Sequence, residues 1–173
     1  MPVDERVLQR LLTVAVDDAD PSEVMAPVFG PPGWTPARRD AFLRYHRERW
    51  SSDPAAPLVE VTYAVVAGDD VAGAIRLAAV LGDPAALEVG LWLGRSRRGR
   101  RIAGAALDAA ADVALDLGAQ VLVAVTSPTN AAALAVLRSR GFRVEPPVDD
   151  RSQASLAIDT RHSGSCSGRT SLR

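Results

Sequence analysis

Between Val59 and Leu117 the apolar residues change period, and that change limits the folds open to this chain. Val59 to Val66 alternates and is rich in β-branched residues, which predicts a half-buried strand. Gly68-Asp69-Asp70 signals a hairpin, Val71 to Val80 returns as a second strand, Gly82-Asp83-Pro84 turns again, and Leu87 to Leu93 gives a third. From Ile102 the Ala and Leu residues recur at helical spacing to Leu117, where Gly118 supplies a C-terminal cap. An antiparallel meander that runs into a long apolar helix predicts a mixed sheet with helices on its faces.

The flanking segments extend this reading. Val121 to Val125 is short and wholly apolar, which predicts a strand buried on both faces. Ser127-Pro128-Thr129-Asn130 opens a helix over Ala131 to Arg140, closed by Gly141. Phe142 to Val144 reads as a strand, Pro146-Pro147 as a break, and Ser152 to Ile158 as a last alternating strand. On the N-terminal side, Val7 to Ala15 contains a β-prone run. Asp17-Asp18-Ala19-Asp20-Pro21 starts a short helix through Val24 and Val28, and Gly30-Pro31-Pro32-Gly33 breaks it. Thr35-Pro36 starts another helix, Ala37 to Trp50, and Ser51 to Pro57 is a loop. The expected order is β-α-α-β-β-β-α-β-α-β-β, an α/β (α+β) mixed sheet: an antiparallel meander followed by β-α-β-α-β-β. Residues 1–160 form one domain in this reading, and 161–173 a disordered tail of small polar residues.

Composition excludes several function classes. With 20 basic against 21 acidic residues the net charge is −1, so no basic coat for nucleic acid is expected. All the basic residues are arginine, a planar fork suited to phosphate and carboxylate. Cys166 is the single cysteine and lies in the tail, so neither an internal disulfide nor a cysteine-rich zinc site is expected, and no metal. His46 and His162 stand far apart in sequence, which gives a histidine-based triad little support; His46, between Arg44 and Arg47, reads as solvated. The start lacks a signal peptide's basic head and apolar run, and no apolar stretch reaches the ~20 residues of a membrane span. The expectation is a cytoplasmic protein with no membrane partner.

The chemistry concentrates in Leu87-Glu88-Val89-Gly90-Leu91-Trp92-Leu93-Gly94-Arg95-Ser96-Arg97-Arg98-Gly99-Arg100-Arg101-Ile102-Ala103-Gly104. A strand runs into a Gly- and Arg-rich turn and then into a helix, whose exposed N–H groups suit phosphate oxygens. Small residues at Gly99, Ala103 and Gly104 let those amides approach a ligand, and five arginines between Arg95 and Arg101 add positive charge. A pyrophosphate is the natural ligand, against the plainer alternative of a solvated arginine run. Downstream, Asn130-Ala131-Ala132-Ala133-Leu134-Ala135-Val136-Leu137-Arg138-Ser139-Arg140-Gly141-Phe142 follows the apolar strand. Together the two stretches resemble the GNAT superfamily of N-acetyltransferases, with its Arg/Gln-x-x-Gly-x-Gly/Ala turn and its Asn-x-x-Ala helix closed by Gly-Phe. Arg98-Gly99-Arg100-Arg101-Ile102-Ala103 fits the turn in register, except that Arg101 stands at the family's central Gly. The likeness covers Leu87 to Phe142 and extends more weakly to the order of elements.

The resemblance implies acetyl-coenzyme A as co-substrate, held where two parallel strands splay apart. Leu91, Trp92 and Leu93 would offer backbone groups to its pantetheine arm, Arg98, Gly99, Arg100, Arg101, Ile102, Ala103 and Gly104 would cradle its pyrophosphate, and Asn130 would contact it near the thiol end. Asn130 as a plain helix cap is the alternative, and both roles can hold together. Many family members use a Tyr on the last helix as the acid for the leaving thiolate; Leu137 stands there, as in the branch that acetylates protein N-termini and small molecules without it. Glu88 is the candidate base, with Glu60 second, hydroxyls at Thr126 or Ser127 next, and a water chain as the alternative to any side chain. Trp34, Phe42, Tyr45, His46 and Trp50 gather where this fold meets its acceptor, and Asp40, Glu48, Glu60 and Glu88 are acids that could receive a cation. The implied activity is acetyl transfer to a primary amine of a small molecule, including an amine-bearing antibiotic, or of a protein N-terminus. A non-catalytic acyl-coenzyme A-binding sensor on the same fold is the alternative. Look-alike proteins are often homodimers, so the resemblance implies a homodimer.

Overall fold

The computed structural model describes residues 1–49 and 59–159. The expectations for Trp50, for the 51–57 loop and for the tail with His162 and Cys166 lie outside the described residues. The first element corrects the sequence reading. Helix α1 (Glu5–Asp18) replaces the β-prone run at Val7 to Ala15. Asp4 caps it by accepting the Val7 N–H at 2.8 Å, and Val7, Leu8, Leu11 and Ala15 are buried. That burial follows i, i+3, i+4 spacing, so the helical period outweighs the local β propensity of Val and Thr. Helix α2 (Pro21–Val24) opens with a capping box between Asp20 and Glu23 but lasts one turn, short of Val28. Pro27 explains the stop, because it bars Ala26 from helical geometry and would crowd the carbonyl of Glu23. Helix α3 (Pro36–Glu48) starts at the Thr35 cap as expected.

The meander is β1 (Glu60–Ala67), β2 (Asp70–Val80) and β3 (Asp83–Leu93), antiparallel throughout. After α4 (Ile102–Asp116) come β4 (Val121–Thr126), α5 (Ala131–Ser139), β5 (Arg143–Val144) and β6 (Ser152–Ala157). The six strands lie in the order β1-β2-β3-β4-β6-β5. Strand β4 is less covered than its composition implied: Leu122 and Ala124 are buried, whereas Val125 is 42% exposed. One face of that strand meets the core and the other is left partly open.

Two cores sit on opposite faces of the sheet. One joins Ile75, Leu77 and Val89 to Leu107, Ala110 and Leu122 under α4. The other joins Ala64 and Ala74 to Leu8, Leu11 and Phe42 under α1 and α3. Fully burying each such Leu or Phe contributes about 1.5–3 kcal/mol.

His46 belongs to the second face and is 7% exposed, not solvated. Its ring meets Phe42 edge-on at 4.6 Å between centroids and Tyr45 at 5.3 Å. Burial lowers its pKa from 6.5 to about 4, against a weaker upward pull from Glu60. The unfolded chain therefore takes up this proton first as pH falls. Stability from the neutral ring is complete above pH 6.5 and is lost toward pH 4. By about pH 5 the loss should reach roughly 2 kcal/mol. Urea unfolding of His46→Leu as a function of pH should show a flatter slope across this window; an unchanged slope would exclude His46 as the cause.

Candidate functional site

Strands β3 and β4 are parallel and pair at only three positions, Ala86–Val121, Leu87–Leu122 and Glu88–Val123. Beyond Glu88 they part, so the β4-facing edge of Val89 to Leu93 has no strand against it. The gap is a cleft of about 840 Å³, within the ordinary size of a small-molecule site. Val89 to Leu93 form one wall, Ala124, Val125 and Thr126 another, and the starts of α4 and α5 close it. Of the residues expected to hold the ligand, Leu91, Trp92, Leu93, Arg98, Gly99, Arg101, Ile102, Ala103, Gly104 and Asn130 all border this cleft. Arg100 and Glu88 are not among its lining residues.

The turn into α4 is shaped by two left-handed residues, Gly99 at φ 72° and Arg101 at φ 63°. Arg101 is the N-cap of α4 and has no side-chain acceptor to offer. The backbone N–H groups of Gly99 to Gly104 find no acceptor among the described residues. A row of unpaired amides at the start of a 15-residue helix has the chemistry to receive an anion. Arg101 holds this left-handed backbone at a cost of about 1 kcal/mol. Arg101→Gly should therefore melt about 3 °C above Arg101→Ala, which retains the strain. Equal melting temperatures would show that the turn carries none.

Three of the five arginines are already paired. Glu23 on α2 accepts from Arg98 at 3.0 Å and from Arg95 at 3.2 Å, and Arg97 meets Asp70 at 2.8 Å. Arg98 also donates to the Leu93 carbonyl through Nε and Nη2 at 3.1 and 3.0 Å. The Arg98 hydrogen bond, then the Asp20 N–H, hold the Glu23 carboxyl below its ordinary pKa. Asp18 at the end of α1 accepts from the Ser96 N–H and hydroxyl, and Gly94 leaves room for it. The turn is thus tied to α1 and α2, and Arg100 and Arg101 have no ion-pair partner among the described residues. Gly104 clears space for a neighbour: a Cβ there would lie 3.1 Å from Arg140 Nε.

Glu88 occupies the last paired position before the strands part. Cross-strand register puts Glu60, Ala78 and Glu88 on one face of the sheet, opposite α4. Arg76 bridges the two acids, donating from Nη1 to Glu60 at 3.0 Å and from Nη2 to Glu88 at 2.5 Å. The Glu60 side chain is buried and also accepts the Tyr45 hydroxyl at 2.7 Å. Burial, then Glu60, raise the pKa of Tyr45. Burial opposes the charge on Arg76, but Glu60, Tyr45 and Glu88 outweigh it and raise its pKa.

The remaining candidates separate. Thr126 borders the cleft, whereas the Ser127 hydroxyl is engaged in its own turn with Thr129 at 2.7 Å. Asn130 caps α5, accepting the Ala133 N–H at 3.1 Å through Oδ1, while bordering the cleft. Leu137 is buried in the core at the cleft's edge. Trp34 and Phe42 pack together edge-on, and Trp34 donates to the Ala19 carbonyl, so both support the fold. Asp40 is exposed on α3, and Glu48 lies 3.9 Å from Arg44. Neither borders the cleft. Arg76, Glu23 and Asp18 escaped the sequence reading, since their importance comes from partners 12 to 78 residues away. Among the described residues no group of three potential ligands could hold a metal ion, and no helix is long and apolar enough to cross a membrane.

Comparison with known proteins points one way. The profile of a family described as "Acetyltransferase (GNAT) domain" matches residues 8–143. No curated protein matches the chain. Among solved structures, the GNAT domain of S. lividans PAT superposes with a TM-score of 0.69 at 17% identity, covering 91% of this chain and 89% of its own. The spermidine N-acetyltransferase from Vibrio cholerae, in complex with CoA and spermine, gives 0.67 at 12% identity, covering 91% and 93%. RimL, a ribosomal L7/L12 alpha-N-protein acetyltransferase in complex with coenzyme A, gives 0.66 at 17%, covering 91% and 92%.

Proposed function

The chain belongs to the GNAT acetyltransferase family, and from that premise we propose that it transfers the acetyl group of acetyl-coenzyme A to a primary amine of a small molecule or a protein N-terminus. The observation that carries this reading is the run of unpaired amides from Gly99 to Gly104 at one end of a cleft whose strand edge is also unpaired. A diphosphate needs such a row of donors, and an extended amide-bearing arm needs such an edge. Two of the similar structures hold coenzyme A, and their named substrates are a polyamine and a protein amino end.

Acetyl-coenzyme A, when bound, supplies the activated acyl group. The residues of this chain do the rest. The amides of Gly99 and of Arg101 to Gly104, with the Arg101 side chain, hold the diphosphate. The free edge of Val89 to Trp92 orients the arm, and Arg98 keeps the Leu93 carbonyl occupied and the turn fixed. Glu88, at the point where the strands part, accepts the proton that an ammonium must lose before its lone pair can attack the thioester carbon. Leu137 has no proton to give, so the thiolate departs unassisted by this helix.

Titration calorimetry with acetyl-coenzyme A, followed by a free-thiol assay over spermidine, amino acids, an aminoglycoside and peptides with free amino ends, tests the reading. Binding and thiol release with at least one amine are expected. No binding at millimolar co-substrate would overturn it. Binding without release from any amine would favour a non-catalytic acyl-coenzyme A sensor, the reading that Leu137 makes worth testing.

A further inference from the structure

We propose that Arg76 is a positioning residue, a guanidinium clamp anchored in the sheet that holds the Glu88 carboxylate at the opening between β3 and β4. The inference rests on the reading of Glu88 as proton acceptor and extends it to a residue on the neighbouring strand β2.

Four observations support the clamp. The guanidinium reaches both acids at once, Glu60 on one side and Glu88 on the other. Its inner anchor is fixed: the Glu60 side chain is 7% exposed and takes both the Tyr45 hydroxyl and Arg76 Nη1. Its outer partner is open: Glu88 is 37% exposed, and Arg76 engages only its Oε1, leaving Oε2 without a partner among the described residues. Finally, β3 makes room for the clamp. Gly90 lies opposite Arg76, and a Cβ there would come within 2.8 Å of Nε and 3.1 Å of Cγ. Gly90 therefore lets the arginine lie flat across the strand to reach Glu88.

A planar fork suits this task better than a lysine, because two donors on one rigid group set the separation of two carboxylates. An exposed glutamate otherwise samples several rotamers, and only some would leave an oxygen at the opening. A clamp that selects one of them acts on turnover, not on co-substrate affinity.

The expected result with acetyl-coenzyme A and the best amine of the panel is a fall in kcat of about 30-fold for Arg76→Gln, with the calorimetric Kd for acetyl-coenzyme A within twofold of the unaltered protein. Arg76→Lys should recover part of the loss. The double variant Arg76→Gln/Glu88→Gln should lose no more than Glu88→Gln alone, since a clamp without its carboxylate has nothing to hold. Additive losses, or an unchanged kcat in Arg76→Gln, would overturn the proposal while leaving Glu88 as base. An unchanged kcat in Glu88→Gln would remove both. Tyr45→Phe, which keeps the ring and loosens Glu60, is the second variant should Arg76→Gln fail to fold, and a smaller loss in kcat alone is expected of it. A crystal structure of Arg76→Gln gives a readout independent of the acceptor. Displacement of the Glu88 carboxylate supports the clamp, and an unmoved carboxylate refutes it, even should no amine of the panel release thiol.

Discussion

Ala103→Glu should weaken acetyl-coenzyme A binding by about 100-fold, or about 2.7 kcal/mol. Ala103 is the second residue of α4, beside amides that have no acceptor among the described residues. A carboxylate in a helix's first turn is drawn to its positive end. The same carboxylate occupies the donors and repels the diphosphate that would use them. Ala103→Gln has a similar length without the charge and should cost about tenfold or less, so the Glu–Gln difference isolates the electrostatic part. Calorimetry checks the loss, and a thermal melt on the same samples checks that the fold is retained. Unaltered affinity in Ala103→Glu would move the anion site elsewhere.

Gly73→Ala should destabilise the protein by about 3 kcal/mol, near the upper end for overpacking a tight site. Gly73 is buried in β2, opposite Leu93 and Val65. A Cβ on it would collide with the Trp92 carbonyl oxygen and come within 2.8 Å of the Leu93 Cα. Both obstacles are main chain, so no side-chain rotation relieves them. The β3 backbone must move at the residues that wall the cleft. A drop of about 10 °C in melting temperature is expected, together with weaker acetyl-coenzyme A binding from the displaced strand. A melting temperature within 2 °C of the parent would show that the strands separate more easily than this register implies.

What could be read in advance followed from locality. The meander, α4, α5 and the turn at Gly99 are set by neighbours in sequence, through alternation, caps and glycine placement, and their bounds agree with the structure to within a few residues apart from β3. Strand β3 begins at Asp83, four residues before the apolar run at Leu87, because a two-residue turn at Leu81-Gly82 needs no polar spacer. Helix α1 was misread because Val7, Thr13 and Val14 favour strands in isolation, and the burial of Leu8, Leu11 and Ala15 decides otherwise. Five arginines close together read as free charge, yet Glu23 and Asp70 take three of them from distant elements. His46 read as solvated because its sequence neighbours are arginines, although i, i+4 spacing sets it beside Phe42 on the inner side of α3. Arg76 carried no local signal at all. Its partners lie on two other strands, and only the register of the sheet brings them together.

The parting of β3 from β4 also bears on self-association. At the rim of a sheet, a strand with vacant donors and acceptors templates pairing with another chain, and proteins guard such rims with lysine, proline or bulges. Here the vacant edge faces inward, walled by the starts of α4 and α5, and Val89 to Leu93 carry no such guards. A foreign strand would have to thread between two helices to reach it. The molecule can therefore keep raw hydrogen-bonding capacity on permanent offer to a narrow guest without courting aggregation.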